Sequence, residues 1–261
     1  MSATEHIPRY DLAATLVGNA RVVSLVGAGG KKTTLYALAR ALPGRVALSS
    51  SSHMAAYDAS VVDEVVTIPA GTASLPASRG RIVAFGGAAE TPQRIHGLSL
   101  AQIERLVAEH CFDHVLLKAD GARGRWIKAP AAYEPVVPTC TDRVLYLLSA
   151  QVIGVPLDER IAHRVAQLAA LCGATPGAPL TVDHLATLLA SEAGALQGIG
   201  RSTLLPVINM VDNEMLAVAA REVAYRALAR TTRFDRVVLA NMKDARVVEV
   251  ITRDDPSGKP P

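Results

Sequence analysis

Gly27-Ala28-Gly29-Gly30-Lys31-Lys32-Thr33-Thr34 is the segment of this chain whose residue types and spacing point most directly to chemistry. Phosphate oxygens are held by converging backbone N–H groups, which requires close approach and φ values that glycine reaches without strain. A helix opening directly after such a loop adds the positive end of its dipole. A lysine then neutralises β- and γ-phosphate charge, and the next hydroxyl holds magnesium. Two registers fit the residues. In one, Lys32 is the phosphate lysine, Thr33 is the magnesium ligand, and Lys31 stands where a P-loop has glycine. In the other, Lys31 is the phosphate lysine and Lys32 replaces the magnesium hydroxyl. The first keeps the metal ligand and is the one expected. The bland alternative is a glycine-rich turn that holds nothing.

Asp120 is the second candidate. It ends the apolar run Val115-Leu116-Leu117-Lys118-Ala119 and is followed by Gly121. In P-loop enzymes an aspartate at the end of a neighbouring strand binds magnesium, directly or through water. Asp-Gly after a strand is also an ordinary turn. Arg123, Arg125 and Lys128 follow within a short loop around the only tryptophan, Trp126, and could grip phosphate or an anionic substrate. Such a loop is equally compatible with a solvated surface. Asn209 and Asp212 follow the apolar run Leu205–Ile208 in the N-x-x-D spacing by which GTPases read guanine, with Met210 where that element has lysine. Asp212-Asn213 also suits a helix cap before Glu214. His53, after four serines, and His163-Arg164 stay ambiguous, and no Ser-His-Asp or Cys-His arrangement can be argued from spacing.

These residues need elements to hold them. Strands are expected at 21–26, 45–49, 81–85, 114–118, 143–148, 204–209 and 236–240. Helices are expected at 10–19, 33–42, 99–109, 158–171, 182–190 and 214–230. Alternation of the two predicts an α/β fold with a mainly parallel sheet covered by helices on both faces, a three-layer P-loop NTPase-like architecture. Segments 67–79 and 121–138 have loop composition. The chain is expected to be a single P-loop-like domain over 1–253, with room for a helical subdomain about 158–195 and a flexible tail at 254–261.

Half of the 261 residues are hydrophobic and only 4% are aromatic, so the core must be built from Ala, Val, Leu and Ile. A net charge of +3 with scattered basic residues is too mild a bias to argue for nucleic acid, and no nucleic-acid partner is expected. Cys111, Cys140 and Cys172 are dispersed, which argues against disulfides and zinc and for buried thiols in a reducing compartment. Met1–Arg9 lacks an apolar signal core, and no stretch is long enough to span a bilayer. A cytoplasmic location and no membrane partner are expected.

Taken together the segments resemble the YqeC family, accessory proteins of selenium-dependent molybdenum hydroxylases. The resemblance runs from Arg21 to about Ala240. It is most specific in Ala119-Asp120-Gly121-Ala122-Arg123-Gly124-Arg125, Lys128-Ala129-Pro130 and Tyr133-Glu134-Pro135-Val136-Val137-Pro138. The family loop usually has one lysine, commonly has glutamate where this chain has Lys118, and commonly follows the asparagine with lysine. The resemblance implies a nucleotide-dependent role in maturing a molybdenum hydroxylase or its cofactor. The expected activity is a Mg2+-dependent nucleoside triphosphatase using ATP or GTP. An ATP-dependent ligase or kinase acting on a small anionic acceptor, and a non-hydrolysing nucleotide-gated chaperone, are the alternatives. Lys32 and Asp120 would be catalytic. Gly27, Ala28, Gly29, Gly30, Lys31, Lys32, Thr33, Thr34, Asn209 and Asp212 would bind nucleotide, with Thr33 and Asp120 on the metal.

Overall fold

A computed structural model describes residues 10–69, 72, 75–89, 91, 93–109 and 111–254. The expected tail, apart from Asp254, and Met1–Arg9 lie outside the described residues. The chain opens with α1 (Leu12–Leu16), β1 (Val22–Gly27), α2 (Lys31–Ala41) and β2 (Val46–Ser50). Next come β3 (Met54–Ala55), β4 (Glu64–Ile68), β5 (Ile82–Gly87), β6 (Arg94–Ile95), α3 (Leu100–Glu109) and β7 (His114–Lys118). The middle holds β8 (Ile127–Lys128), β9 (Arg143–Ser149), a 3-10 turn (Ala150–Val152), β10 (Ala162–His163), α4 (Val165–Cys172) and α5 (Val182–Ala190). It closes with β11 (Thr203–Asn209), α6 (Glu214–Arg230), β12 (Arg236–Asn241) and β13 (Arg246–Thr252).

Nine strands form one sheet in the order β13-β12-β11-β9-β1-β7-β2-β5-β4. Every pairing within it is parallel except β12 with β13. Side chains alternate across each strand, so Val23, Leu25, Leu145 and Leu147 pack with Leu35 and Leu38 of α2. Val144, Tyr146 and Leu148 meet α4, α5 and α6 on the opposite face, where α3 also covers Val115 and Leu117. The protein is therefore α/β with a mostly parallel sheet and helices on both faces. Segment 158–195 contributes Ile161, Leu168, Leu185 and Leu188 to the same apolar cluster as β9 and β12. No helix among the described residues is long and apolar enough to cross a membrane.

Four expectations are corrected. α2 begins at Lys31 rather than residue 33, so both lysines sit on its first turn. The helix expected over 158–171 begins only at Val165, because Asp158 turns the chain through the Arg160 N–H (2.8 Å) and Ala162–His163 pair with Ile127–Lys128. Strands β4 and β13 were not expected; each is an edge strand of the sheet, half-exposed along its length, so its apolar signal is diluted. Of the cysteines only Cys172 is buried, and Cys111 is exposed.

Candidate functional site

The floor of the site is built where β1 and β7 run side by side and end together. From β1 the chain turns through Gly27–Gly30 and enters α2. Gly27, with φ 82°, lies so close to β9 that a Cβ would sit 2.3 Å from the Leu147 oxygen. At Gly30, with φ 109°, a Cβ would sit 2.4 Å from Asn209 Nδ2. These are two positions where only glycine fits. Gly30→Ala should push Asn209 off Gly29, weakening both stability and anion binding; thermal unfolding and a pyrophosphate titration of the variant would check both.

The loop spends some of its N–H groups internally. Gly27 donates to Asp120 Oδ2 (2.9 Å) and Ala28 to the Leu147 carbonyl (2.8 Å). The first-turn N–H groups of α2 have no intrahelical acceptor, and the N-cap residue Gly30 has no side chain to cap them. They open, with Lys31, into a cleft of about 980 Å³ whose wall carries Lys32, Arg94, Lys118, Arg123, Arg125 and the half-exposed Trp126. Arg123, with φ 49°, and Arg125 are exposed. His53 also lines the cleft, its ring 4.3 Å from that of His96.

The two lysines point in different directions. Lys31 is 5% exposed, donates to the Gly27 carbonyl, and holds its ammonium 3.0 Å from Asp120 Oδ1. Burial lowers its pKa, and the adjacent Asp120 carboxylate works against that shift. Lys32 instead donates to the Ala56 carbonyl (2.7 Å) and lies over the Tyr36 ring. It also borders a separate hollow of about 410 Å³ with Arg40, Asp58 and Lys243. Thr33 is exposed on the first turn, and Thr34 is buried with its hydroxyl on the Gly30 carbonyl (3.0 Å).

Asp120 is 3% exposed and sits beneath the loop. Lys128 Nζ bonds its Oδ2 at 2.9 Å, and the same ammonium reaches Glu134 Oε2 (2.7 Å) and the Gly121 carbonyl (2.7 Å). Lys128 is thus only 1% exposed and lies below the cleft, apart from the exposed Arg123 and Arg125 with which it is grouped in sequence. Asp120 Oδ1 faces Lys31 as an ion pair but accepts no aligned hydrogen bond.

Magnesium held by Thr33 and Asp120 does not fit this geometry. The ion takes six oxygens at about 2.0–2.1 Å. Asp120 borders an internal void of about 10 Å³, room for roughly one water, while Thr33 lines the open cleft. Both Asp120 oxygens already face ammonium groups. Like unit charges 4 Å apart in a partly buried setting repel by about 4 kcal/mol, so a dication there would be opposed by both lysines. Among the described residues no group of three His, Cys, Asp or Glu side chains could hold a metal ion.

Asn209 and Asp212 part company. Asn209 is buried, donates to the Gly29 carbonyl (2.9 Å) and accepts from Met242 N–H (2.9 Å), so it braces the loop against the end of β12. Asp212 is exposed and accepts from Gln151 (2.5 Å), while Asn213 caps α6 through Leu216 N–H (2.9 Å). Met210, with φ 60°, turns its sulfur to the Ser149 hydroxyl (3.1 Å) and borders the cleft.

Sequence reasoning missed Glu134 and Lys118 as working parts. Burial opposes ionisation of Glu134, but hydrogen bonds from Arg164 (2.7 Å) and Lys128 (2.7 Å) outweigh it and hold the carboxyl down to about 2. Because that lies below the ordinary 4.5, the stability it supplies is present above pH 4.5 and lost as pH falls toward 2. Thermal unfolding followed across that window should show the loss, and Glu134→Gln should flatten it. Gln197 locks the same loop by donating to the Ala131 carbonyl (2.6 Å) and to that of Glu134. The Tyr-Glu-Pro run carried a signal, but only folding brings Arg164 and Gln197 to it. Lys118 donates to the Ser52 hydroxyl (2.6 Å); burial and then the charge of Lys31 lower it to about 8, with Asp120 partly offsetting. An anion in the cleft would favour its charged form.

The loop at 27–34 and Asp120 both lie within the span that matches a known family. The family described as YqeC protein matches residues 23–166, more than half of the chain. The chain is also 28% identical over 185 residues to "Uncharacterized protein YqeC" of Escherichia coli (strain K12), covering 68% of this chain and 71% of that relative.

Proposed function

The chain belongs to the YqeC family, and on that premise we propose that it is a P-loop-like protein that binds a nucleoside triphosphate, ATP or GTP. We infer further that it serves the maturation of a selenium-dependent molybdenum hydroxylase or its cofactor, the role the family resemblance implies. One observation carries the nucleotide reading: the uncapped first turn of α2 opens, behind Gly27–Gly30 and beside Lys31, into a basic cleft large enough for a nucleotide. In this reading the phosphates lie on the N–H groups of the α2 start. Lys31, rather than Lys32, neutralises them, because Lys31 shares the loop floor with Asp120. Arg123 and Arg125 take the outer phosphates or an anionic acceptor. Asn209 acts through the loop as a positioning residue, and Asp212 lacks support as a base reader because Gln151 holds it.

Calorimetric titration with non-hydrolysable ATP and GTP analogues tests this. Saturable heat with either is expected, and the preferred base follows from the comparison. No heat with either analogue would sink the nucleotide reading.

A second reading, a nucleotide-gated chaperone that binds without turnover, is favoured by two features of the site. Lys32 follows Lys31 where a hydrolytic P-loop has its hydroxyl, and Asp120 is committed to two lysines. Binding with no conversion of the triphosphate to nucleoside di- or monophosphate, with or without an added acceptor, would select it over a nucleoside triphosphatase, ligase or kinase.

A further inference from the structure

Three features of the cleft concern the metal rather than the nucleotide. The carboxylate expected to hold magnesium has an ammonium on each oxygen and a backbone N–H on one of them. The residue after Lys31 is a second lysine whose ammonium points to Ala56. The described lining of the cleft carries six cations, Lys31, Lys32, Arg94, Lys118, Arg123 and Arg125, of which Lys31 also faces Asp120, against a single lining carboxylate, Glu134. That carboxylate is itself paired with Lys128 and Arg164.

We propose that the cleft binds a polyphosphate without a divalent cation, this chain's own lysines and arginines supplying the neutralising charge. The proposal rests on the nucleotide reading and narrows it to the metal-free anion. Physically, a polyphosphate entering this cleft exchanges water and counterions for fixed cations that are already in position. Magnesium does not assist that exchange. Among the described residues it finds no free carboxylate at the loop, and by neutralising the phosphates in solution it competes with the lysines for them. Metal should therefore weaken binding, the reverse of its effect on a P-loop whose hydroxyl and aspartate are open to the ion. Inward-facing Lys31 and Lys118 contribute most, since their charge is least screened by water.

Trp126 lines the cleft, so its fluorescence reports occupancy. The full chain, stripped with EDTA, is titrated with inorganic pyrophosphate and with ATP, then again in millimolar magnesium, with calorimetry in parallel. Saturation in EDTA is expected, with magnesium weakening it by about threefold to tenfold. The Arg123→Ser/Arg125→Ser double variant, altered only at exposed positions, should lose about tenfold or more of the metal-free affinity. Binding that appears only with magnesium, or tightens with it by about tenfold, overturns the proposal while leaving the nucleotide reading intact. Absence of binding under both conditions removes the nucleotide reading and the proposal with it.

Discussion

Lys31→Met is expected to lose triphosphate affinity by about 30-fold or more, the effect of removing one partner of a buried, hydrogen-bonded charge pair. Lys32→Ala is expected to change it by less than about fivefold, within the range of an exposed charge contact. The asymmetry follows from where the ammonium groups lie. Lys31 reaches the floor of the loop at Gly27 and Asp120, whereas Lys32 crosses to Ala56 and Tyr36. Methionine keeps the apolar stem of Lys31 in its buried slot, so the variant tests charge rather than packing. Calorimetric titration of both variants with an ATP analogue decides the matter. Equal loss in both, or loss in Lys32→Ala alone, would restore the register that sequence reasoning preferred.

Asp120→Asn is expected to destabilise the fold by about 3–5 kcal/mol, because it leaves Lys31 buried without its carboxylate. Lys128 suffers less, since Glu134 remains 2.7 Å away. The deficit should depend on pH. Burial already lowers the Lys31 pKa in the wild type, with Asp120 opposing the shift, and removing the carboxylate lowers it further. A base depressed in the folded state is penalised while protonated, so the variant's deficit should shrink as pH rises toward 10.5. Denaturant unfolding of both proteins at neutral and alkaline pH measures this. A variant as stable as wild type at neutral pH would show that Asp120 is not the keystone of the loop.

Local patterns carried the architecture a long way. The apolar runs ending at Gly27, Asp120 and Asn209 are buried parallel strands, and their length and β-branched content suffice to specify that. The glycine cluster between β1 and α2 was legible for the same reason, since only glycine tolerates the approach to Leu147 and Asn209. Half-exposed edge strands and the turn at Asp158 were not, because their residues satisfy several conformations and tertiary pairing selects one.

The side-chain destinations within the site are another matter. Lys31 and Lys32 are neighbours of the same type, and nothing in their order says which faces Asp120. The answer depends on the helix starting at Lys31, which turns successive side chains by about 100° around its axis. Lys128 looked like a companion of Arg125 three positions earlier, yet pairing of β8 with β10 turns it under the loop to Asp120. Arg164 and Glu134 are thirty residues apart and meet only because that small sheet brings α4 beside the 121–138 loop. What the amino-acid order alone determined is therefore the buried inner strands of the sheet, the glycine turn and the excess of positive charge near it. Which cations are spent on internal carboxylates, and which remain for a ligand, was decided by the tertiary structure, because charge pairing acts between groups that only the folded chain brings within 3 Å.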